Sequence, residues 1–390
     1  MKRCLLKKPT RQARFTLDRE RVNFDYGCVI DTDAKLAAFL PRLHKADWIA
    51  LDTEADSLHS YPEKLCLIQV SIQGADELID PLAGLDLKPL WPELKRHELI
   101  LHGADYDLRL FRRQHHFVPG KIFDTMLAAR LLGEKQFGLT HLVSRFLGAH
   151  LEKGSQKSNW SRRPLTDRMV AYAKNDTHYL KKLSDLLRAK LIEAGRLAWL
   201  EETCARMVAD CAELPEPDAE PWRIKGSSRL GRMELAVLRE LWHWREKEAI
   251  AANKPPYFIL AHEALTGLAC AARFPKKINE LLPAHLSPRR RRELVEAIER
   301  ALALSHEKHP EIHRIHTPRP TLAETRRFQE LSKRRDQVAQ RLQLDPTLIA
   351  SRATLAMLAH DWDRHSKEMM RWQRQLLVEE FSGKQPATAS

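Results

Sequence analysis

Apolar side chains recur along the first half of the chain with two different periods. Helical spacing comes first, at Leu36, Phe39 and Leu43, and predicts a helix over residues 31–44. Short apolar runs then predict four strands, over residues 48–52, 64–72, 77–80 and 99–101. Helical spacing returns afterwards and predicts helices over residues 103–110, 125–132, 139–147 and 166–194. A cluster of strands flanked by helices is an α/β arrangement.

The second half of the chain shows helical spacing alone. The predicted helices cover residues 232–252, 262–272, 277–282, 288–304, 322–342, 345–359 and 361–380. Two proline-containing breaks, at residues 213–221 and 309–320, divide this half. We therefore predict a leader, an α/β domain, a linker, two helical domains and a tail, over residues 1–24, 25–205, 206–224, 225–308, 318–382 and 383–390.

Composition narrows the class of partner. The chain has 390 residues, 43% of them hydrophobic, and a formal net charge of +13, which favours a polyanion such as nucleic acid or an acidic membrane surface. The alternative is that the charge serves only solubility. The six cysteines form no CxxC pair, which is typical of a reducing compartment, and no apolar run is long enough to span a membrane. We expect a cytoplasmic monomer with no membrane partner.

The first candidate chemistry is a pair of acids at the end of an apolar strand. Asp52 and Glu54 are two positions apart, so their side chains point to the same face of the strand. Buried like charges are costly unless a cation joins them, and Mg²⁺ or Mn²⁺ prefers oxygen ligands. A solvated acidic strand end is the alternative, because this spacing is a weak motif when it stands alone.

Two further segments carry acids that could join this pair. Asp105 and Asp107 begin a helix after Gly103; one of them is expected only to cap the helix, and the other could face the first pair. Tyr172 and Asp176 are four residues apart and share a helix face. The plainer alternative for that pair is a half-buried tyrosine beside an exposed aspartate.

Taken together, these segments predict a metal-dependent hydrolase. Four carboxylates from a strand, a helix start and a helix face could hold two divalent cations, Mg²⁺ or Mn²⁺, roughly 4 Å apart. That arrangement suits the in-line hydrolysis of a phosphodiester.

The order of these residues resembles the three motifs of the DEDD exonuclease superfamily. The matching positions are Asp52, Glu54, Asp107, Tyr172 and Asp176, and tyrosine at the fourth resembles the DEDDy branch. The surrounding sequence, including Leu67–Gln69, Phe123–Thr125 and residues 160–180, is similar to the ribonuclease D family. This resemblance implies an α/β ribonuclease-H-like domain with a mixed sheet and flanking helices, over residues 25–205.

The resemblance also assigns roles. It implies that Asp52, Glu54, Asp107 and Asp176 bind metal, since the acid that directly precedes Leu108 is the one that matches. Asp105 is then the less favoured alternative, and Tyr172 would orient the attacking water.

Residues 228–305 resemble an HRDC domain, a helical module shared by RecQ-type helicases and ribonuclease D. Residues 318–382 are predicted to form a second, more diverged HRDC-like domain. The fold expected for the whole chain is thus the exonuclease domain followed by two all-α HRDC-type domains. By this resemblance the partners are RNAs, namely tRNA precursors and other small structured RNAs.

Basic and aromatic residues are candidate contacts to nucleic acid. Cations bind phosphates and aromatic rings can stack on bases, which makes candidates of Lys157, Trp160, Arg162, Arg163, Arg289 and Arg290. For the arginines at 289 and 290 the alternative is a solvated helix face, and for Trp160 it is packing.

A group of histidines invites a metal interpretation that the sequence does not favour. His306, His309, His313 and His316 have helix-like spacing, but Pro310 interrupts them and no acid or cysteine completes a set.

The leading hypothesis is a 3′→5′ exoribonuclease that releases nucleoside 5′-monophosphates from RNA. The same chemistry on DNA is the nearest alternative, and a non-catalytic RNA-binding scaffold is another. A nucleotide-cofactor oxidoreductase is excluded because no glycine-rich turn follows the first strand.

Overall fold

A six-stranded mixed sheet forms the centre of the first domain. The computed structural model describes residues 29–152, 154–213, 218–284, 286–313 and 319–378; the predicted leader and tail lie outside these residues. The strands are β1 (Val29–Ile30), β2 (Ile49–Ala55), β3 (Leu65–Ile72), β4 (Ala75–Ile79), β5 (Glu98–Leu101) and β6 (Lys121–Asp124). Their order is β1-β4-β3-β2-β5-β6. The predicted α/β architecture is confirmed.

The central strands are the ones that the sequence pattern identified. All eight residues of β3 are buried, and β3 pairs antiparallel with both β2 and β4. The other pairings, β1 with β4, β2 with β5 and β5 with β6, are parallel. The two edge strands were not predicted, because two or four residues are too few to show a period.

Helices cover the sheet. They are α1 (Asp33–His44), α2 (Leu90–Lys95), α3 (Asp105–His115), α4 (Thr125–Leu131), α5 (Leu139–Leu147), α6 (Asp167–His178), α7 (Leu180–Glu193) and α8 (Leu197–Ala212). The helix predicted over residues 166–194 is wrong as one element, because it is interrupted at Tyr179. The break lets α6 pack on β3 and β4, while α7 packs on α4 and α5.

Two helical modules follow. The first module contains α9 (Arg232–Ala252), α10 (Pro256–Ile259), α11 (His262–Ala271), α12 (Pro275–Leu281) and α13 (Pro288–Leu302). The second module contains α14 (Leu322–Leu342), α15 (Pro346–Ile349), α16 (Arg352–His360), α17 (Trp362–His365) and α18 (Arg371–Val378). Among the described residues, no helix has both the length and the apolar character needed to cross a membrane.

The first halves of the two modules repeat the same local structure. In each, a 21-residue helix ends at a left-handed residue, Asn253 with φ 46° or Gln343 with φ 55°. A four-residue helix with proline in its first turn comes next, and then an extended residue, Leu260 or Ala350, each with φ −159°. Even one side-chain contact recurs, since Arg245 donates to the Leu260 carbonyl at 3.4 Å and Arg335 to the Ala350 carbonyl at 3.1 Å.

The modules differ in how they are buried. The first has a hydrophobic core of its own, which includes Leu238, Leu241, Leu265 and Ile298. Buried residues of the second module belong to the same continuous cluster as the core of the α/β domain. The described residues therefore form two large cores and one small buried cluster. The core that the α/β domain shares with the second module does not follow the predicted division into three domains.

Candidate active site

Strand β2 and helix α6 bring three acids together. Asp52 and Glu54 alternate with the buried Thr53 on β2, so both carboxylates point to one face. Helix α6 packs against this part of the sheet and contributes Asp176. One carboxylate oxygen from each of the three residues lies within 4.8 Å of the others.

The predicted fourth acid lies next to this group but outside it. Asp107 is 5% exposed in the first turn of α3, and its carboxylate accepts a hydrogen bond from the Thr53 hydroxyl. Its charge is the strongest of the neighbouring charges that act on Asp52. Asp105 instead forms an ion pair with Arg109 one turn along the helix, and its side chain is 58% exposed.

Burial raises the pKa of every carboxyl in the group, and repulsion from the other acids of the group adds to the rise at Asp52 and Glu54. The pKa of Glu54 rises to about 9 and that of Asp176 to about 7, with burial as the first cause in both. Burial likewise raises the pKa of Asp107 to about 7 and that of Asp52 well above its usual range. The neighbouring charges that act on Asp52 and Glu54 are all carboxylates, so the arrangement lacks the positive charge that a divalent cation would supply.

Tyr172 lies beside the acids, one helical turn before Asp176. Its hydroxyl is hydrogen-bonded to the Asp176 carboxylate, and burial raises the pKa of the phenol well above its usual range. The Tyr172 ring packs near the Trp160 indole, with ring centroids 6.1 Å apart. Tyr172 therefore stays protonated at neutral pH and can donate a hydrogen bond into the site.

One polar residue of the site was not assigned a role from the sequence. Gln69 is fully buried on β3 and pairs across the sheet with Asp52, so both side chains lie on the same face. Neither polar atom of its amide has a hydrogen-bond partner among the described residues. A glutamine inside an otherwise mostly apolar eight-residue strand was the signal available in the sequence.

Comparison with known proteins places this geometry in a family. Residues 28–192 match the family model described as a 3′-5′ exonuclease, and residues 234–301 match the HRDC domain. The ribonuclease D of Jannaschia sp. is 34% identical over 297 residues, which cover 73% of this chain and 76% of that protein. The ribonuclease D of Zymomonas mobilis is 36% identical, with 73% and 75% covered.

The chain belongs to the ribonuclease D family. It is accordingly an enzyme, a 3′→5′ exoribonuclease, and the predicted family resemblance is confirmed. We refer below to residues 29–213 as the exonuclease domain.

Solved structures extend the likeness over nearly the whole chain. Escherichia coli RNase D, described as an exoribonuclease involved in structured RNA processing, has a TM-score of 0.70 at 25% identity, covering 90% of this chain and 98% of that one. A protein from Bifidobacterium adolescentis has a TM-score of 0.77 at 25% identity, with 91% and 96% covered. The catalytic core of RRP6 from Trypanosoma brucei, at 24% identity and a TM-score of 0.59, shares the fold over 71% of this chain and 80% of that one.

Two of the predicted RNA contacts have structural roles instead. Trp160 is 1% exposed and packs in a small cluster with Met169 and Ala173 of α6, so its ring cannot stack on a base. Arg163 donates to both carboxylate oxygens of Asp80, at 2.5 and 2.6 Å, and also to the carbonyls of Trp160 and Cys66. Both residues hold the segment before α6 against the sheet, and so help to position Tyr172.

The predicted arginine contacts at the start of α13 are occupied as well. Arg289 and Arg290 both donate to the buried Glu248 carboxylate of α9. Their charges are thus partly neutralised within the first module. Lys157 and Arg162 are exposed, and the Lys157 carbonyl lies 3.2 Å from the His59 ring in the loop that follows β2.

The histidine group does not form a metal site among the described residues. His306 lies in a short 3₁₀ turn, its ring 5.6 Å from that of His309, while His313 approaches Glu220 at 3.7 Å. His316 lies outside the described residues. Within the described part of the chain, the acids at 52, 54 and 176 are the group whose geometry could hold a metal ion.

Proposed function

We propose that this enzyme shortens the 3′ ends of structured RNAs, tRNA precursors among them, and releases nucleoside 5′-monophosphates one at a time. The E. coli relative is described as acting in structured RNA processing. The formal net charge of +13 favours a long polyanionic substrate. RNA is preferred over DNA as substrate because the relatives are ribonucleases.

The proposal includes two divalent cations, Mg²⁺ or Mn²⁺. Asp52, Glu54 and Asp176 would hold one ion, because their oxygens already converge. Asp52 and Asp107 would share the other, because Asp107 is the charge that acts most strongly on Asp52. Bound ions of this kind stabilise the negative charge that develops on a phosphate and favour the hydroxide form of water.

Tyr172 is proposed to orient the attacking water. Its protonated hydroxyl lies on Asp176 and is a donor at neutral pH, so it suits positioning and does not suit proton removal. Gln69 is the second neutral group on this face, and its buried amide has no hydrogen-bond partner among the described residues.

The observation that carries the proposal is the convergence of Asp52, Glu54 and Asp176 from a strand and a helix more than 100 residues apart. Such a group of half-buried acids is costly without a cation. It is therefore expected to serve metal binding.

The first experiment follows the length of a 3′-tailed tRNA and of matching single-stranded DNA, with Mg²⁺, Mn²⁺ or EDTA. We expect stepwise shortening of the RNA that EDTA and Asp52→Asn abolish. Asp107→Asn is expected to lower kcat by at least about 10²-fold, whereas the matched variant Asp105→Asn, at an exposed acid, keeps activity. Unchanged activity of Asp52→Asn would refute the site assignment, and binding without shortening would favour a scaffold.

A second experiment measures thermal stability against pH and metal. Because the pKa of Glu54 is raised from 4.5 to about 9 and that of Asp176 from 3.8 to about 7, the metal-free protein should lose stability as the pH rises from about 4 to about 9. Mg²⁺ or Mn²⁺ should restore it. Asp176→Asn should raise the metal-free melting temperature at pH 8 and remove the response to metal; a retained response would contradict the ligand set.

Tyr172→Phe separates water positioning from metal binding. Since the phenol is not a proposed ligand, we expect kcat to fall by about 10–10³-fold with the thermal response to metal unchanged. Loss of the thermal response to metal would instead show that Tyr172 acts only by holding the Asp176 carboxylate in place.

We also infer that the second module is a diverged copy of the first. Arg245 and Arg335, Asn253 and Gln343, and Leu260 and Ala350 occupy the same places in the repeated local structure. Together with the shared core, this modifies the predicted domain division at residues 318–382. Finally, we expect a monomer, which light scattering after gel filtration would test.

A further inference from the structure

A basic cleft lies at the end of α3 that is far from the catalytic acids. It is formed between α2, the end of α3 and the end of α8, and has a volume of about 650 Å³. Asp107 is in the first turn of α3 and His115 in the last, so the cleft lies roughly 12 Å along the helix from Asp107 at 1.5 Å per residue. We call it the α2–α3 cleft.

The charges of the α2–α3 cleft have one sign. Lys88, Lys95 and Arg112 line it, and no carboxylate is among its lining residues. None of the side chains of Lys88, Lys95 and Arg112 forms an ion pair with a described acid, unlike Arg163, Arg289 and Arg290 elsewhere in the chain. Cations gathered without an acidic partner favour an anion from solution.

The floor of the cleft is aromatic and fixed. Trp91 stacks on Phe117 with ring centroids 5.1 Å apart, meets Phe111 edge-on at 5.7 Å and has His115 at 4.8 Å. Burial and the adjacent His116 lower the pKa of His115, so that ring is neutral at pH 7. A neutral aromatic surface beside cations suits a ligand that carries both a ring and a phosphate.

The walls of the cleft are held at a set distance. The segment after α3 comes so close to α2 that a Cβ at Gly120 would lie 2.8 Å from the Lys95 carbonyl oxygen. His116 caps α3 in the left-handed region, with φ 52°, and its Nδ1 is 3.1 Å from the Arg112 guanidinium. The cleft is therefore formed before any ligand binds, which lowers the cost of binding.

We propose that the α2–α3 cleft is a second nucleotide-binding site, which takes a phosphate and its adjoining sugar or base. The choice of nucleotide rests on the proposed function, since RNA and nucleoside 5′-monophosphates are its substrate and product. The same chemistry could come from the body of a bound RNA, some distance from its 3′ end, or from a released monophosphate.

The test compares two triple variants that each remove three positive charges. The cleft variant is Lys88→Ala, Lys95→Ala, Arg112→Ala. The control is Arg326→Ala, Arg327→Ala, Lys333→Ala, at exposed positions of α14. The probes are a labelled RNA hairpin with a four-nucleotide 3′ tail and adenosine 5′-monophosphate, each titrated in EDTA so that nothing is hydrolysed.

For an RNA ligand, we expect the cleft variant to bind the hairpin on the order of tenfold more weakly at 0.1 M salt. The slope of log Kd against log salt should fall by about 2 to 3, one step for each lost phosphate contact. Hydrolysis of a five-nucleotide RNA should stay unchanged, because so short a strand does not need the cleft. The double variant Lys88→Gln, Lys95→Gln should show a smaller loss of the same kind if removing Arg112 perturbs folding.

Comparison of the two probes, the RNA hairpin and adenosine 5′-monophosphate, identifies the source of the ligand. Weaker hairpin binding alone assigns the cleft to the RNA body, and weaker monophosphate binding alone assigns it to the product. Equal losses in the control variant, or no loss with either probe, would overturn the proposal. Because the assay measures binding without hydrolysis, its failure is distinct from a failure of the chain to shorten RNA in Mg²⁺.

Discussion

The two helical modules have the same local structure and opposite surroundings. Each joins a 21-residue helix to a four-residue helix through a left-handed residue, and each places an arginine on the carbonyl that follows. The first module encloses its own core, whereas the second completes the core of the exonuclease domain. The residues at the helix ends determine the local structure of a module. The side chains on its surface determine whether it packs against the exonuclease domain.

One pair of equivalent positions shows how the faces differ. Glu248 on α9 is buried at 5% exposure and paired with Arg289 and Arg290. Ninety residues later, Val338 occupies the same place on α14, is fully buried and belongs to the shared core. An acid at this place keeps the first module's helices together, and an aliphatic residue extends the exonuclease core.

In each module, the left-handed residue after the 21-residue helix contacts the exonuclease domain, but the two contacts differ in kind. The Asn253 side chain accepts a hydrogen bond from the Tyr61 amide at 3.1 Å, in the loop after β2, and the Tyr61 hydroxyl donates to Glu246 at 2.5 Å. In the second module the backbone of Gln343 lies against Gly133. The first contact is polar and local, while the second is part of a large apolar interface.

Removing each module in turn should give the largest contrast. Ending the chain at residue 310 exposes the apolar surface that the second module covers, so we expect the exonuclease domain to lose its cooperative thermal transition and its activity. Circular dichroism and hydrolysis of a five-nucleotide RNA measure this. Replacement of residues 222–308 by a flexible linker is the control, which should retain both; a stable, active chain ending at 310 would contradict the shared core.

Single tryptophans should separate the two cores next. Trp372 stacks on Trp199 of α8 with ring centroids 5.1 Å apart, so Trp372→Ala is expected to cost about 3–5 kcal/mol. The temperature at which hydrolysis of the short RNA is lost should fall accordingly. Trp244→Ala, in the core of the first module, is the matched change and should leave that temperature nearly unaltered. Equal falls would mean that the cores unfold together.

Substitution of a glycine tests the close contact between the exonuclease domain and Gln343. Gly133 has φ +85°, and a Cβ there would lie only 2.4 Å from the Gln343 carbonyl oxygen. Gly133→Ala should therefore cost about 2–3 kcal/mol, measured by urea unfolding. Gly148→Ala, at φ +68° with open space around it, isolates the backbone cost alone at about 1 kcal/mol. Similar losses of stability in both variants would show that the backbone around Gln343 can move to accommodate the added methyl group.

The smallest expected effect concerns pH and Glu248. Hydrogen bonds from Arg289 and Arg290 lower the pKa of this carboxyl below its ordinary 4.5, so its contribution to stability is present above that pH and is lost as the pH falls. As the pH falls below 4.5, the urea midpoint of the first module should drop more in the wild type than in Glu248→Gln. Parallel curves would show that the ion pair contributes nothing measurable.

The sequence was most informative where function depends on local spacing. Asp52 and Glu54 follow from strand alternation, and Tyr172 and Asp176 from the helical repeat, so their common faces could be predicted. The ribonuclease D resemblance was needed to prefer Asp107 over Asp105. The structure adds the burial of the former and the ion pair of the latter.

What could not be predicted depends on partners far away in the chain. Arg163 is hydrogen-bonded to Asp80, 83 residues earlier, and Arg289 to Glu248. Both charges are therefore less available to RNA than the sequence alone suggested. The break at Tyr179 is set by how α6 and α7 pack, which periodicity does not reveal. The packing of the second module could not be predicted for the same reason. The spacing of its apolar residues predicts an apolar helix face but does not show which part of the chain packs on that face.

The shared core has a consequence for how the enzyme is made. Leu377, in the last described helix, is fully buried in the cluster that supports the catalytic sheet. A ribosome that has released only the first 213 residues has thus made every catalytic acid but not the surface that completes their scaffold. The catalytic sheet therefore gains its full support only after the second module has been synthesised, and we expect a chain truncated before that module to be unstable.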